Sequence, residues 1–499
     1  MPLRNPLREA LQAGRFCYVV ELVASRISRE ARLLEIATQL AQVPGVVAGS
    51  VTSYAGGSPG HDPIRVGTAA RARGLTPNIH VTCVSRDRQE LRDLLETLND
   101  LSLENVFALT GDYPKGSTPV FDLDSVELVA LIHQYRQTGM PFWISVAVTP
   151  FKYTEPDCVY QYIKLEKKFA AGADYAITQL GFDARKFREL RRYLDERGIR
   201  KPVLGNAYVL NKRAAEKMAK GEPPGCWVSP ELLAKVQEES QAKDGGEAAR
   251  LERAARMVAI IRGLGYAGAY LGGTHKADHI RWIIERSEFL APQWERLAEE
   301  FTYAPKNAFY LYESPQQPVK PLGLWPRTLN FLGRTFPVRQ ETRLRKILVS
   351  VFRWIDRHPA MARQLERAEF AFKSPVFGCQ ACGNCVLGDM EYVCPQTCPK
   401  QLRNGPCGGT NNGQCEVIPE QACIWVRVYE RAKTANELEL LKVYIPPPDR
   451  SLKDTSSYIN YFLGRDSRPG RDLSNQSPPS PPSTTSAKNE SKVVLGQKV

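Results

Sequence analysis

Eight of the chain's twelve cysteines fall between Cys379 and Cys423. Their spacing is Cys379-x2-Cys382-x2-Cys385-x8-Cys394-x3-Cys398-x8-Cys407-x7-Cys415-x7-Cys423, and no histidine lies between 366 and 426. Any metal held here would be held by thiolates alone, and eight thiolates divide into two sites of four. That ligand chemistry suits zinc or an iron–sulfur cluster. The C-x2-C-x2-C run and the Cys-Pro steps at Cys394 and Cys398 have a ferredoxin character, although the x8 gap departs from that pattern. Gly405, Gly408 and Gly409 would let backbone N–H groups approach sulfur or an ion closely. A disulfide scaffold is the other reading, and a reducing compartment argues against it. The remaining cysteines, Cys17, Cys83, Cys158 and Cys226, are scattered.

The other chemistry-bearing residues lie at the ends of apolar runs in the first 300 residues. Glu21 interrupts VVELV. Burial there would raise its pKa into the range of a general acid working near neutrality; a carboxylate satisfied by a structural partner is the alternative. Asp112 follows ALTG, where Gly111 permits a tight turn that would present the carboxylate. A plain turn or helix cap would use the same residue. His80 sits within NIHVTC and reads as a ligand contact or as a satisfied core histidine. Gln179 is a polar residue at an apolar run's end, and Thr52, Thr149 and Gly272-Gly273-Thr274 occupy equivalent positions. Two carboxylates in different environments suggest an enzyme that assigns them different roles.

These residues need a scaffold that brings run ends together. Eight short apolar runs alternate with charged amphipathic segments: 17–23, 46–53, 78–84, 105–111, 142–148, 175–182, 202–210 and 268–274. Near-continuous apolar runs fit parallel strands buried on both faces. Eight such repeats predict a (β/α)8 barrel, an α/β fold whose chemistry collects at the C-terminal strand ends. An open doubly wound sheet is weakened by the lack of G-x-G-x-x-G after any strand. Residues 211–265 are long for one crossover and would lie at the catalytic face as a lid or substrate wall. The expected organisation is a barrel at 1–305, a helical connector at 306–365, a cysteine-rich metal-binding domain at 366–445 and a disordered Ser/Pro-rich tail at 446–499.

Composition narrows the class. Hydrophobic residues make up 43% and charged residues 24%, which rules out a wholly disordered or fibrous chain. The net charge of +13 accompanies no Lys/Arg run interleaved with aromatics, so nucleic-acid binding is not expected. No apolar stretch is long enough for a membrane helix, and MPLRNPLREALQAGRF lacks the apolar core of a secretory signal. A cytoplasmic location is expected.

The set VVELVASR, GSVTSY, NIHVTC, NVFALTGDYPKGS and KKFAAGADYAITQLGFD, in this order, resembles the methylenetetrahydrofolate reductase family over residues 15–300. CPKQLRNGPCGGTNNGQCEV resembles the cysteine-rich domain fused to or partnered with that reductase in some bacteria. The resemblance implies a flavin-bearing barrel that reduces 5,10-methylenetetrahydrofolate to 5-methyltetrahydrofolate, an oxidoreductase of one-carbon metabolism and methionine biosynthesis. It implies FAD, with FMN as the alternative, and NAD(P)H or an electron-donor protein as the source of electrons. Glu21 matches the family's general acid, Asp112 the carboxylate beside flavin and folate, and Gln179 the amide that holds the pterin. Thr52, His80 and Lys168 match flavin contacts. Thr110 stands where the family has Arg, Thr149 and Tyr153 where it has Tyr and His, and Gln161 and Lys164 where it has acidic and amide residues near the flavin phosphates and adenosine. Leu22-Val23-Ala24 replaces the usual aromatic and prolines after the acid. These departures keep a second expectation open: an electron-transfer or docking protein with an inactive barrel and a working metal module. A homo- or hetero-oligomer is compatible with either.

Overall fold

The computed structural model describes residues 4–24, 30–53, 60–114, 118–315, a few positions between 318 and 328, and 343–466. All eight expected strands form. They are β1 (Cys17–Leu22), β2 (Val46–Val51), β3 (Pro77–Thr82), β4 (Asn105–Leu109), β5 (Trp143–Val148), β6 (Tyr175–Thr178), β7 (Val203–Tyr208) and β8 (Gly268–Gly272). Each pairs in parallel with its sequence neighbours, and β8 pairs with β1 to close the barrel. Closure leaves no edge strand, so nearly every strand side chain is buried and the runs are apolar on both faces.

Two cores result. The larger lies between the strands and the surrounding helices. The smaller fills the barrel with Val19, Phe107, Tyr175, Leu204 and Tyr270, and receives Leu7, Ala10 and Leu11 from the helix Pro6–Gln12. Asp87 and Asp124 start the helices Arg88–Asp100 and Ser125–Gln137 with full capping boxes. The long 211–265 crossover folds into the helices Lys212–Ala219, Pro230–Glu239 and Glu247–Gly263.

Three expected boundaries move. Residues 306–315 belong with the barrel: the Phe309 amide donates to the Tyr153 carbonyl (3.0 Å), and the Tyr310 hydroxyl donates to Asp183 (2.8 Å). The 365/366 division falls inside one helix, Pro359–Phe377. The tail begins later than composition suggested. Residues 446–466 fold back on the cysteine-rich segment, because SYINYFL supplies an apolar face: Ile459 and Phe462 are buried, and Asn460 donates to the Gly383 carbonyl at 3.0 Å. The rest of the expected disordered tail, 467–499, lies outside the described residues. The basic amphipathic helix Arg343–Asp356 packs on Ser457–Leu463, with Phe352 and Phe462 stacked at 4.6 Å, while Ile347 and Trp354 remain exposed.

The cysteine-rich segment docks on the barrel through Asp124. One carboxylate oxygen accepts from the Arg403 amide (3.2 Å), the Asn404 amide (2.9 Å) and the Asn404 side chain (3.2 Å). The other caps its own helix by accepting from Val126 and Glu127. Burial alone would raise this carboxyl's pKa, but Lys164 and these amides hold it below the usual carboxylate range. Asp124→Ala strands several buried amides at once. It is expected to lower stability by about 3 kcal/mol and to expose the segment beyond 400 to protease, as read by denaturant midpoints and limited proteolysis.

Candidate functional site at the barrel mouth

The C-terminal strand ends surround a cavity of about 410 Å³, within the usual size of small-molecule and cofactor sites. Glu21, Thr52, His80, Asp112, Lys168 and Gln179 all line it. Closure of the barrel is what brings them together, since no two are close in sequence.

Glu21 stands near the end of β1, in register with Ser50 of β2. Its carboxyl faces Gly272 of β8, where a Cβ would lie 3.0 Å from Oε2. It opens on the cavity yet is enclosed by protein, and that burial pushes its pKa up to about 7. His80 responds in the opposite sense. Burial lowers its pKa to about 3, so the imidazole is neutral, with Nε2 2.9 Å from Ser50 Oγ and the ring edge-on to Phe107. Lys168 donates to the Ala147 carbonyl at 2.6 Å. Burial, with some repulsion from Lys164, brings its pKa down to about 7. Thr52 accepts from the Ala24 amide at 3.0 Å. The Gln179 amide nitrogen of the backbone bonds Val148, and its side-chain oxygen accepts from Leu180.

Asp112 is presented by the turn after β4. Gly111 adopts φ +91°, and a Cβ there would meet Val84 at 2.9 Å, so only glycine fits both the dihedral and the space. Two buried oxygens on the cavity wall, Thr82 Oγ1 and Asn206 Oδ1, have no hydrogen-bond partner among the described residues. A polar ligand would satisfy them. Tyr208 and Tyr270 also face the cavity. Asn206 and Tyr208 are alternate residues of β7, a period that marks one face of the strand, and that was the signal available for them in the sequence.

The far wall comes from the cysteine-rich segment, which sequence reading did not place here. Cys407, Gly408, Gly409, Lys400 and Glu416 line the cavity. Lys164 donates to the carbonyls of Gly405 (3.1 Å) and Pro406 (2.9 Å), Gln161 to Cys407 (2.7 Å), and Lys152 to Thr410. Thr149 abuts Gly408. Tyr153 turns away to pack on Trp227. From the 211–265 crossover, Met218, Pro223 and Cys226 reach the cavity, so that crossover does form a wall.

No disulfide joins any of the twelve cysteines. The eight form two neighbourhoods of four. Cys379, Cys382, Cys385 and Cys394 line one small cavity, with the Lys373 amine 3.7 Å from Cys385 Sγ. Cys398, Cys407, Cys415 and Cys423 lie within electrostatic reach of one another beside the barrel mouth. Among the described residues, no three His, Cys, Asp or Glu side chains converge closely enough to hold an ion. Burial raises the thiols of Cys394 and Cys423 to about 12.

A closed eight-stranded barrel with a buried acid, a second carboxylate and unpartnered acceptors at its C-terminal mouth defines a barrel protein with a polar small-molecule site. The family model described as methylenetetrahydrofolate reductase matches residues 6–286, more than half of the chain, and the chain belongs to that family. A model described as the methylene-tetrahydrofolate reductase C terminal matches residues 358–451. The 5,10-methylenetetrahydrofolate reductase of Pectobacterium carotovorum subsp. carotovorum is 31% identical over 155 residues, 30% of this chain and 50% of that protein. That of Escherichia coli (strain K12) is 30% identical over 148 residues, 29% and 48%. The probable methylenetetrahydrofolate reductase (NADPH) of Caenorhabditis elegans is 29% identical over 150 residues, 30% and 22%. The chain thus spans half or less of the length of these relatives. A solved structure, described as an uncharacterized protein from Clostridium thermocellum that binds two copies of 5-methyl-5,6,7,8-tetrahydrofolic acid, overlaps loosely, with a TM-score of 0.41 and 10% identity over 57% of this chain and 99% of its own. Among the described residues no helix is long and apolar enough to cross a membrane.

Gly111→Ala tests the turn. It is expected to cost about 2 kcal/mol in denaturant unfolding and to weaken ligand binding in the cavity, because the turn must move to relieve the Val84 contact.

Proposed function

We propose that the chain reduces 5,10-methylenetetrahydrofolate to 5-methyltetrahydrofolate at the barrel mouth, with a bound flavin. The observation that carries this reading is the single cavity that joins Glu21, raised to about 7, to Asp112 and Gln179. When bound, the flavin supplies the hydride that the polypeptide cannot. The unpartnered Thr82 and Asn206 oxygens and the polar wall of Thr52, His80 and Lys168 suit a planar polar ring.

The chain's own residues do the rest. Glu21, protonated below about pH 7, donates to folate N10 and opens the ring. The Asp112 carboxylate stabilises the cationic iminium of the substrate. Gln179 holds the pterin through its carboxamide. His80, neutral at working pH, offers a hydrogen bond without adding charge. FAD is the cofactor the resemblance carries. FMN is the alternative, because Gln161 and Lys164, which stand where the family holds the phosphates and adenosine, donate instead to segment carbonyls. The mass of flavin released by heat decides between them.

Electrons come from NAD(P)H or from an electron-donor protein, and the enzyme works in the cytoplasm. The two groups of four cysteines, which among the described residues do not converge on an ion, are proposed as all-thiolate zinc or iron–sulfur sites whose thiolates close on the metal as it binds. Close to two zinc ions per chain, or iron with matching sulfide, is the expected result of metal analysis; a metal-free folded protein would remove this part. The second reading, an electron-transfer or docking protein with an idle barrel, is favoured by Cys407 standing on the cavity wall.

Glu21→Gln separates the two readings. The variant is expected to keep its flavin and accept electrons from dithionite, yet to lose folate reduction by about 10³-fold. In the wild type the acid form is required. Activity should therefore hold below about pH 7 and fall as pH rises through Glu21's pKa. Normal folate turnover by the variant would remove Glu21 from its role.

A further inference from the structure

Lys400 belongs to the cysteine-rich segment, but its amine lies in the barrel mouth. Its side chain is 3% exposed and lines the cavity. The ammonium donates to the Gly111 carbonyl at 3.0 Å and forms an ion pair with Glu416 of its own segment. Glu416 is 4% exposed, with Oε2 3.2 Å from Cys407 Sγ. It is wedged against Gly409, where a Cβ would overlap its carboxylate. An ammonium has three donors. One of these holds the turn that presents Asp112 and another meets Glu416. The Asp112 carboxylate is within electrostatic reach.

Lys152 and Lys164 also bridge the two parts, but in the opposite sense. Their amines come from the barrel and bind backbone carbonyls of the segment. Those contacts attach the segment and reach no candidate catalytic group. Lys400 alone of these three sends a cation from the segment to the carbonyl that precedes Asp112. A buried cation is costly unless its partners are fixed, and here both partners are fixed by packing.

We propose that Lys400 is a positioning residue for the barrel site: delivered by the C-terminal segment and oriented by Glu416, it pins the Gly111–Asp112 turn and sets a fixed positive charge beside the Asp112 carboxylate. The site is then complete only when the cysteine-rich segment is docked. The kinetic consequence rests on the reductase reading above; the hold on the turn does not.

The test uses the full chain with Lys400→Met and Lys400→Arg, read by amide hydrogen exchange and by steady-state reduction of methylenetetrahydrofolate. In Lys400→Met, exchange at residues 110–113 is expected to rise by about tenfold or more, with β3 and β5 unchanged. Its kcat is expected to fall between about tenfold and a hundredfold, with KM within about threefold. Lys400→Arg, which keeps charge and donors, should restore both. Wild-type exchange at 110–113 in Lys400→Met would overturn the proposal. So would a loosened turn with unchanged kcat, or an Arg variant as impaired as the Met variant. If the wild-type protein reduces no methylenetetrahydrofolate, the reductase reading fails, and exchange alone decides whether Lys400 holds the turn. If Lys400→Met does not fold, Lys400→Gln takes its place: its remaining donor is expected to keep exchange at 110–113 near wild type, while loss of the charge beside Asp112 lowers kcat by about tenfold, and an unchanged kcat would overturn the proposal.

Discussion

Buried ammonium groups must find acceptors, and in this chain they find them across the boundary between barrel and cysteine-rich segment. Removing a lysine from water costs several kcal/mol unless hydrogen bonds replace the lost solvent. Lys152 and Lys164, both buried, meet segment carbonyls, and Lys400 meets a barrel carbonyl and Glu416. Asp124 mirrors them: a buried carboxylate on the barrel side accepts two segment amides and a side-chain amide. Neither part could keep these groups buried and satisfied without the other, so the docked arrangement follows from polar accounting as much as from apolar contact.

The closed barrel then supplies what a site needs from its scaffold. Parallel strands end at one mouth; Glu21 and His80 sit on the ladders themselves, and Thr52, Asp112 and Gln179 follow within three residues of a strand's last residue. The same burial acts with opposite sign on acid and base. It raises Glu21 towards 7 and lowers His80 to about 3, because desolvation disfavours whichever form is charged. One environment therefore yields a carboxyl that can carry a proton near neutrality and an imidazole that adds no charge.

The cysteine-rich segment has little regular structure, so its backbone needs other support. The C-terminal residues provide some of it. Asn384 exchanges hydrogen bonds with Asp449, at 2.8 and 3.1 Å, and Lys373 joins Glu369 to Ser457. These contacts surround the first four cysteines, while the second four stand beside the barrel mouth. The two groups thus occupy different surroundings, one among C-terminal helices and one at the cavity.

The eight strands, the glycine turn before Asp112 and the list of run-end polar residues could all be read from the chain itself. Each depends on short-range pattern: apolar runs of strand length, a glycine at a tight turn, a polar residue ending an apolar stretch. Glu21, Thr52, His80, Asp112 and Gln179 were accessible in this way, Lys168 only through the family resemblance, and the barrel then had to bring them to one mouth. Composition misjudged residues 446–466, since Pro and Ser around them hid the apolar face of SYINYFL. Nothing local revealed that Gln161 and Lys164 serve segment carbonyls, or that Lys400 reaches Gly111 across 289 residues of sequence. A side chain's partner across the fold is fixed by which buried groups remain unsatisfied once the chain is compact, and only the tertiary structure decides that.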